Sequence, residues 1–556
     1  MVILRPMKFL KVLANALVSG LFFSTLLVLL FADLNINLKT SPRFLVQLTL
    51  HLAVIYGLLI ACVCLIFFFI VQFFSGRAVR IPFVSPSFLS LSFSLLVLVF
   101  LVLFRANTSY FDSFFDLRMR TCLRTQLMIL AGLAVLGPAV AYGYRRYKRK
   151  VVFFWVYFLL FALGLGFVFF QRSRYAVDQP SLKRLPLLGK KVEKKITLIG
   201  LEGLSFDLLI PLISEGKLPN FSWLMDNGSS GRLINFSPTE PVTLNPSLDS
   251  GKFPAKHHRL SLSRYRIGKM KETLEIVPRF LLFNQLERVG FLKITPFRPA
   301  SSVTDIWQVF EANQISAVKK DWPYSFEVPS QPSSRAEKLL SNILDSSVPL
   351  SDEYFGLARN ALFRDCAYEE AGAEEKNARQ PQVYYLLLSG LNTVQAYFYK
   401  FHFPEQFGHI DQEHLERYGP VIDRYYDFYD QIVGKFLTGL KEDELLVVFS
   451  PHGIEPLPIW KRAIESLLGN PMVSAHHEFA PAGVVFFYGK GVLRGNNFDG
   501  MRIVDIAPTL LYYLGLPVAR DMDGIVKASI FAKEFIAENP VIYISSYEEF
   551  RIIPPQ

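Results

Sequence analysis

The stretch Lys195-Ile-Thr-Leu-Ile-Gly-Leu-Glu-Gly-Leu-Ser-Phe-Asp207 separates a strongly apolar first third of the chain from a remainder of ordinary soluble composition. It starts with an apolar run at 196–200, passes Glu202 and continues into a helical pattern. Such a run predicts the first strand of an α/β domain. Ligands bind at the carboxyl edge of open parallel sheets, so Glu202 is a candidate functional residue.

The composition indicates a membrane protein. The 556 residues are 51% hydrophobic and include 51 phenylalanines, and the excess lies in the first third. Much of the formal net charge of +11 comes from Lys/Arg clusters beside apolar segments, such as 145–150. Charge of this kind is typical of membrane flanks, so we predict contact with a lipid bilayer and no nucleic-acid binding. The four cysteines contain no CxxC pair and give no indication of a redox or zinc-thiolate site.

Five segments have the roughly 17 or more mostly apolar residues that a bilayer core requires. They are 9–31, 45–74, 83–104, 126–144 and 151–170. We predict a transmembrane helix for each, and we expect the first to be retained because no clear signal-peptide cleavage site follows it.

The distribution of basic residues favours an N-terminus inside, although the margin is small. The cluster 145–150 supports this orientation, and the loop that contains Arg105, Arg118, Arg120 and Arg124 opposes it. With five spans, the C-terminal part then lies outside. We therefore expect a multi-pass plasma (inner) membrane protein with an extracytoplasmic C-terminal domain. The Phe-rich loop 110–116 is a candidate interfacial helix.

The domain organisation follows these changes in composition. We predict a transmembrane region at 1–174, a linker at 175–194, an α/β domain at 195–535 and a C-terminal extension at 536–556. Further strands are predicted at 384–388, 445–449 and 484–488, and helices at 208–215, 335–344 and 418–440. Their alternation predicts a mainly parallel central sheet. The acidic run 369–375 is interpreted as a solvated helix face.

Several motifs after residue 195 occur together in a defined order. The segment Pro238-Thr-Glu-Pro-Val-Thr-Leu-Asn-Pro-Ser-Leu-Asp-Ser-Gly-Lys-Phe-Pro-Ala-Lys-His257 is followed by Ser450-Pro-His-Gly453, with further motifs at 199–207, 216–221, 477–483, 489–491, 505–517 and 521–524. Together they resemble the type I phosphodiesterase and nucleotide pyrophosphatase branch of the alkaline phosphatase superfamily. The resemblance runs from about 196 to 530 and implies an alkaline-phosphatase-like fold after the membrane helices.

The resemblance also implies a two-zinc site with a Ser or Thr nucleophile. At the matching positions the chain has Glu202 in place of an Asp ligand, and it keeps two histidines, His452 and His477. The nucleophile position falls on Pro241, and Thr239 and Thr243 flank it as the candidate hydroxyls.

Four family positions carry residues that are unsuited to the family's chemistry. Pro241 has no hydroxyl, Ala396 cannot bind a metal, and Asn392 is a weak, neutral ligand. Pro451 stands where the family has an Asp ligand. Neither implied zinc set then reaches the three protein ligands that catalytic zinc sites usually have. Asp505 is predicted to cap the helical stretch 506–514.

Three hypotheses remain open from the sequence. The first is a catalytically inactive, membrane-anchored relative that needs no cofactor and binds a ligand or partner, or scaffolds an envelope-assembly complex. The alternative is an active phosphodiesterase or phosphotransferase on lipid-linked or envelope substrates. It would use Thr239 or Thr243 and zinc or another divalent metal on a reduced site of Glu202, His452 and His477. In the third, the function lies in the membrane region and the outer domain regulates it.

Overall fold

The computed structural model describes residues 6–38, 41–75, 85–146, 150–175, 192–281, 286–287, 290–297, 302–320, 333–344, 351–467 and 470–548. Most of the predicted linker, part of the cluster 145–150 and the last residues of the predicted C-terminal extension lie outside these ranges. The chain divides into two compact units. The helical unit is Met1–Gln179 with Pro254–Ala300, and the α/β unit is Pro180–Phe253 with Ser301–Gln556. The boundaries 1–174, 175–194, 195–535 and 536–556 stay predictions.

The helical unit is built from long apolar helices. Within the described ranges, five stretches are long and apolar enough to cross a membrane: Phe9–Leu34, Pro42–Phe74, Phe88–Tyr110, Leu117–Gly143 and Trp155–Arg174. They confirm the predicted set of five. The helices run Pro6–Leu34, Pro42–Leu52, Leu58–Ser75, Pro86–Tyr110, Leu117–Arg146 and Lys150–Arg174, with a π-helical turn at Ala53–Gly57 inside the second stretch.

The fourth long helix begins earlier than the apolar pattern indicates. Its start is stabilised by Asp116, whose Oδ1 accepts a hydrogen bond from the Met119 amide at 2.7 Å. The helix therefore begins at Leu117, and its first two turns carry arginines that the hydropathy pattern assigns to a loop. The loop before it contains only the short 3₁₀ turn Asp112–Phe114, so the predicted interfacial helix at 110–116 is wrong.

A buried ion pair joins the first and last long helices. Arg172 Nε lies 3.5 Å from Asp33 Oδ1, and both side chains are at most 1% exposed. Arg172 also donates to the carbonyl oxygens of Ala32 and Asn35. These contacts partly offset the cost of two charges in an apolar interior, although Asp33 Oδ2 and Arg172 Nη1 have no hydrogen-bond partner in the described residues. The sequence patterns did not reveal the pair because its members lie 139 positions apart, at the ends of two spans.

The segment Pro254–Ala300 belongs to the helical unit although it lies in the middle of the predicted α/β domain. It contains an antiparallel pair of strands, Ser263–Ile267 and Leu292–Pro296. Asn35 Oδ1 accepts hydrogen bonds from the amides of Glu275 and Ile276, at 2.8 and 2.9 Å. Asn107 Oδ1 accepts one from the Arg279 amide at 2.7 Å. Polar side chains at the ends of two long helices thus bind the backbone of this segment.

The α/β unit is organised around a central sheet, as predicted. In the described residues this sheet has seven strands: β1 Lys195–Leu201, β2 Ser229–Ile234, β3 Ala317–Lys320, β4 Val383–Leu388, β5 Glu444–Phe449, β6 Gly483–Gly489 and β7 Asn496–Arg502. Their spatial order is β7-β2-β6-β5-β1-β4-β3. Strand β6 is antiparallel to both neighbours, and all other neighbouring pairs are parallel. This confirms the mainly parallel sheet and the four predicted strand positions.

Both faces of the sheet are covered, which explains why its central strands are continuous apolar runs. Alternate residues of β1, β4 and β5 belong to two separate hydrophobic clusters, one on each side. The longer helices of this unit are Phe206–Ser214, Pro219–Asn227, Pro241–Ser250, Ile306–Ala312, Ser334–Ile343, Glu353–Arg379, Gly390–His402, Gln412–Tyr418, Val421–Thr438, Ile459–Leu467, Ile506–Tyr513 and Lys533–Glu538.

Two helix predictions need correction. The predicted helix 418–440 is two helices, because Gly419-Pro420 separates Gln412–Tyr418 from Val421–Thr438. The acidic run 369–375 is not wholly solvated. Glu369 is buried and bound by Arg335 and by Lys435 Nζ at 3.0 Å, because the packing of other helices brings these cations to it.

Gly483, the first residue of β6, provides a test of the sheet. A Cβ atom here would lie 1.9 Å from the Ser450 carbonyl oxygen. We expect Gly483→Ala to lower the free energy of unfolding by about 1–3 kcal/mol, because the backbone has to move. Gly356→Ala is the control: no atom lies within 4 Å of its Cβ position, and we expect a gain of about 0.4–1 kcal/mol. Urea denaturation of the full-length protein in detergent measures both, and equal effects would contradict the predicted strand contact.

Candidate functional site

The candidate site lies where β1, β4 and β5 end. Glu202 directly follows β1, and Ser450 directly follows β5. The Ser450 hydroxyl accepts hydrogen bonds from the amides of Gly203 and Leu204, both at 3.1 Å, and donates to the His452 carbonyl oxygen at 2.8 Å. This hydroxyl therefore joins the Glu202 loop to the His452 loop. The two loops meet because β1 and β5 are parallel neighbours.

Glu202 is buried in surroundings that favour its neutral form. The side chain is 2% exposed. Burial, and secondarily the carboxylate of Asp365, raise its pKa to about 8, whereas Arg364 acts in the opposite direction. The acid is therefore mostly protonated at pH 7.

Asp365 forms a buried hydrogen-bond network beside Glu202. Its carboxylate accepts the hydroxyls of Tyr425 and Tyr429, at 2.8 and 2.9 Å, and the Gly390 amide at 3.0 Å. Burial raises the pKa of Asp365 to about 6, although Arg364 and these donors oppose the shift. Gly390 is the first residue of the helix that follows β4, so the network positions that helix. No family motif covers Asp365, and only its place in the structure reveals the network.

The two candidate histidines lie together. Their ring centroids are 4.7 Å apart, and the planes differ by 24°. His452 Nδ1 lies 3.0 Å from the Gly453 carbonyl oxygen, and burial lowers the pKa of His452 to about 3. Burial also lowers the pKa of His477. Both rings are therefore neutral at pH 7. Because nitrogen lone pairs lie in the ring planes, rings stacked in this way do not aim at one ion.

The two candidate nucleophiles donate to backbone carbonyls. Thr239 Oγ1 donates to the His477 carbonyl oxygen at 2.6 Å. Thr243 Oγ1 contacts the carbonyl oxygens of Pro238 and Glu240, each at 2.8 Å. Both side chains are at most 3% exposed. Thr239 thus joins the nucleophile segment to the late histidine, and Thr243 stabilises the first turn of the helix Pro241–Ser250.

The helix that should supply the second ligand set contains amides instead. Asn392 Oδ1 is buried and has no hydrogen-bond partner in the described residues, and the same holds for Gln395 Oε1. The Gln395 amide nitrogen lies 3.3 Å from the Tyr426 hydroxyl. Sequence reasoning missed Gln395 because it lies one residue before the expected ligand position, Ala396. The Pro451 carbonyl oxygen accepts a hydrogen bond from Asn235 at 3.1 Å.

The residues do not fit a two-zinc centre. Across the described ranges, no three His, Cys, Asp or Glu side chains form a group that could hold a metal ion. The rings of His452 and His477 stack with each other, so their nitrogen lone pairs do not converge on one point.

The role predicted for Asp505 is also wrong. It occupies the position before the helix Ile506–Tyr513 but makes no side-chain cap. Its carboxylate instead accepts the amides of Arg502 and Ile525, both at 2.9 Å. Arg502 also pairs with it through Nη2, at 2.8 Å.

Comparison with known proteins assigns the chain to a family through a family model. No curated protein matches the chain. A solved structure of murine ectonucleotide pyrophosphatase / phosphodiesterase 5, an inactive form in complex with AMP, aligns with a TM-score of 0.35 and 13% sequence identity, over 60% of this chain and 98% of that chain. The family model for type I phosphodiesterase / nucleotide pyrophosphatase matches residues 196–494, which is more than half of the chain. The order of the motifs and the central sheet are consistent with this match. The chain belongs to the type I phosphodiesterase / nucleotide pyrophosphatase family.

Proposed function

We propose that this family member is a membrane-anchored protein that has lost two-zinc phosphodiesterase chemistry and binds a ligand or a protein partner. The main support is the set of residue types at the family's nucleophile and ligand positions, because three of these positions have side chains that can neither attack phosphorus nor bind a metal.

Three substitutions make up this support. Pro241 stands at the nucleophile position, Ala396 at a histidine ligand position and Pro451 at an aspartate ligand position. The flanking hydroxyls of Thr239 and Thr243 already donate to carbonyl oxygens. A residual metal site of Glu202, His452 and His477 would need the histidine stack to open.

A cavity in the α/β unit is a suitable place for a ligand. It has a volume of about 430 Å³, which is within the range of small-molecule sites. Its lining includes Lys400, Arg462, His414 and the aromatic ring of Phe407. The Arg462 guanidinium lies 4.5 Å from the Phe407 ring centroid. Cations beside aromatic rings favour an anionic ligand with a flat group.

For localisation we propose the plasma (inner) membrane with the α/β unit outside, where it would scaffold an envelope-assembly complex. The support is the set of five apolar helices and the basic residues near the N-terminus, which include Lys8 and Lys11.

Metal content and hydrolysis test the proposed loss of catalysis. We expect the full-length protein, purified in detergent with zinc or manganese supplied and then dialysed, to hold far less than one ion per chain by mass spectrometry. We expect its hydrolysis of bis(p-nitrophenyl) phosphate to equal that of Glu202→Ala and His477→Ala.

Two tightly bound ions per chain would refute the proposal. Hydrolysis that either substitution abolishes would support the alternative, an active phosphodiesterase or phosphotransferase on lipid-linked or envelope substrates. Its nucleophile would be Thr239 or Thr243, and either hydroxyl would first have to leave its carbonyl acceptor.

A further inference from the structure

A cavity rich in arginine lies between two long helices of the helical unit. It has a volume of about 200 Å³. Arg105 comes from the helix Pro86–Tyr110, and Arg120 and Arg124 come from the helix Leu117–Arg146. Asp112 and Thr108 add polar groups, and the rest of the lining is apolar. The cavity thus combines three guanidinium groups with a surface that suits an acyl chain.

One of the three arginines is already paired within the protein. Arg120 Nη2 lies 3.0 Å from Asp112 Oδ2, and Arg120 Nε donates to the Phe115 carbonyl oxygen at 3.0 Å. Arg120 therefore stabilises the turn between the two helices. The side chains of Arg105 and Arg124 have no hydrogen bond or ion pair within the described part of the chain. Since Asp112 balances Arg120, the cavity keeps the two positive charges of Arg105 and Arg124.

The depth of these arginines indicates what would balance their charge. Arg105 lies five residues before the end of the stretch Phe88–Tyr110, about 8 Å along the helix, and Arg124 lies about 10 Å beyond Leu117. Headgroup phosphates meet acyl chains near such depths, and an unpaired charge there is costly. The guanidinium fork matches phosphate oxygens, and basic pockets between membrane helices bind anionic headgroups.

We propose that this cavity binds one phosphate group between Arg105 and Arg124, presented by the headgroup of an anionic phospholipid or as free inorganic phosphate. The membrane orientation that the other basic residues favour is opposed by Arg105 and Arg124. A phosphate site would explain why these two arginines are present. It is independent of the function proposed for the α/β unit, because all its residues belong to the helical unit.

Two binding measurements on the full-length protein distinguish the two sources. In the first, protein in an uncharged detergent receives equimolar phosphatidylglycerol and phosphatidylcholine, and native mass spectrometry counts the bound lipids. In the second, calorimetry measures the binding of inorganic phosphate. We expect the wild type to retain phosphatidylglycerol preferentially and Arg105→Gln/Arg124→Gln to reduce this retention roughly tenfold or more, because two charge-assisted contacts are lost.

The controls separate the site from general surface charge. Arg43→Gln removes an exposed arginine outside the cavity and should leave lipid retention unchanged. Arg105→Lys/Arg124→Lys keeps both charges without the planar fork and should give an intermediate loss. If Arg105→Gln/Arg124→Gln weakens the binding of inorganic phosphate but leaves phosphatidylglycerol retention unchanged, the site binds free phosphate. If the Gln and Lys double variants bind both ligands as the wild type does, the proposal is wrong.

Discussion

Replacement of Asp365 by alanine is expected to lower the free energy of unfolding by about 3–5 kcal/mol. The carboxylate accepts the Gly390 amide and the hydroxyls of Tyr425 and Tyr429, and it is 1% exposed. Alanine leaves these donors buried without an acceptor and opens a cavity between the helices. Urea denaturation of the full-length protein in detergent, followed by tryptophan fluorescence, measures the loss.

Two controls distinguish the loss of the Asp365 network from a general weakening of the helix Glu353–Arg379, which carries Asp365. Asp352 caps the same helix by accepting the Tyr354 amide at 2.8 Å, so Asp352→Ala should cost only about 1 kcal/mol. Asp365→Asn keeps the shape and one acceptor oxygen and should lose less than Asp365→Ala. If Asp365→Ala costs no more than Asp352→Ala, then the network does not stabilise the start of the helix Gly390–His402.

The second large effect is a gain: Glu202→Gln should stabilise the protein at neutral pH. The folded-state pKa of Glu202, about 8, lies above its ordinary value of 4.5. The folded state therefore holds a proton that the unfolded state releases, and stability falls as the pH rises from about 4.5 to about 8. A neutral glutamine of similar shape removes this cost. We expect a gain on the order of 3 kcal/mol at pH 7.

The pH dependence identifies the cause of that gain. Near pH 4 both states of the wild type hold the proton, so Glu202→Gln should have no effect, and the gain should level off above about pH 8. Glu442→Gln changes an exposed carboxylate and should stay within about 0.5 kcal/mol throughout. If Glu202 instead binds a metal ion, Glu202→Gln will destabilise the metal-loaded protein, and the pseudoenzyme interpretation fails.

The sequence predicted those features that depend on neighbouring residues. Five apolar segments gave the five long helices, because the length and composition of each segment are enough for the prediction. The continuous apolar runs gave β1, β4, β5 and β6 within about a residue. Glu202 was found at the end of β1 because the strand and the following helix are adjacent in sequence.

Only the tertiary structure decided which groups meet. Asp365 binds Gly390 25 positions away and Tyr429 64 positions away, and Glu369 becomes buried because Lys435 reaches it from another helix. Packing likewise brings the ring of His452 onto that of His477.

The sequence by itself therefore determined the family, the five apolar helices, the sheet and the position of Glu202. The structure decided that Glu202 lies buried beside a second carboxylate and that the segment 254–300 belongs with the long apolar helices. The physical reason is that apolar periodicity records which residues are buried within one element. Protonation and pairing depend on groups that folding brings together from distant parts of the chain.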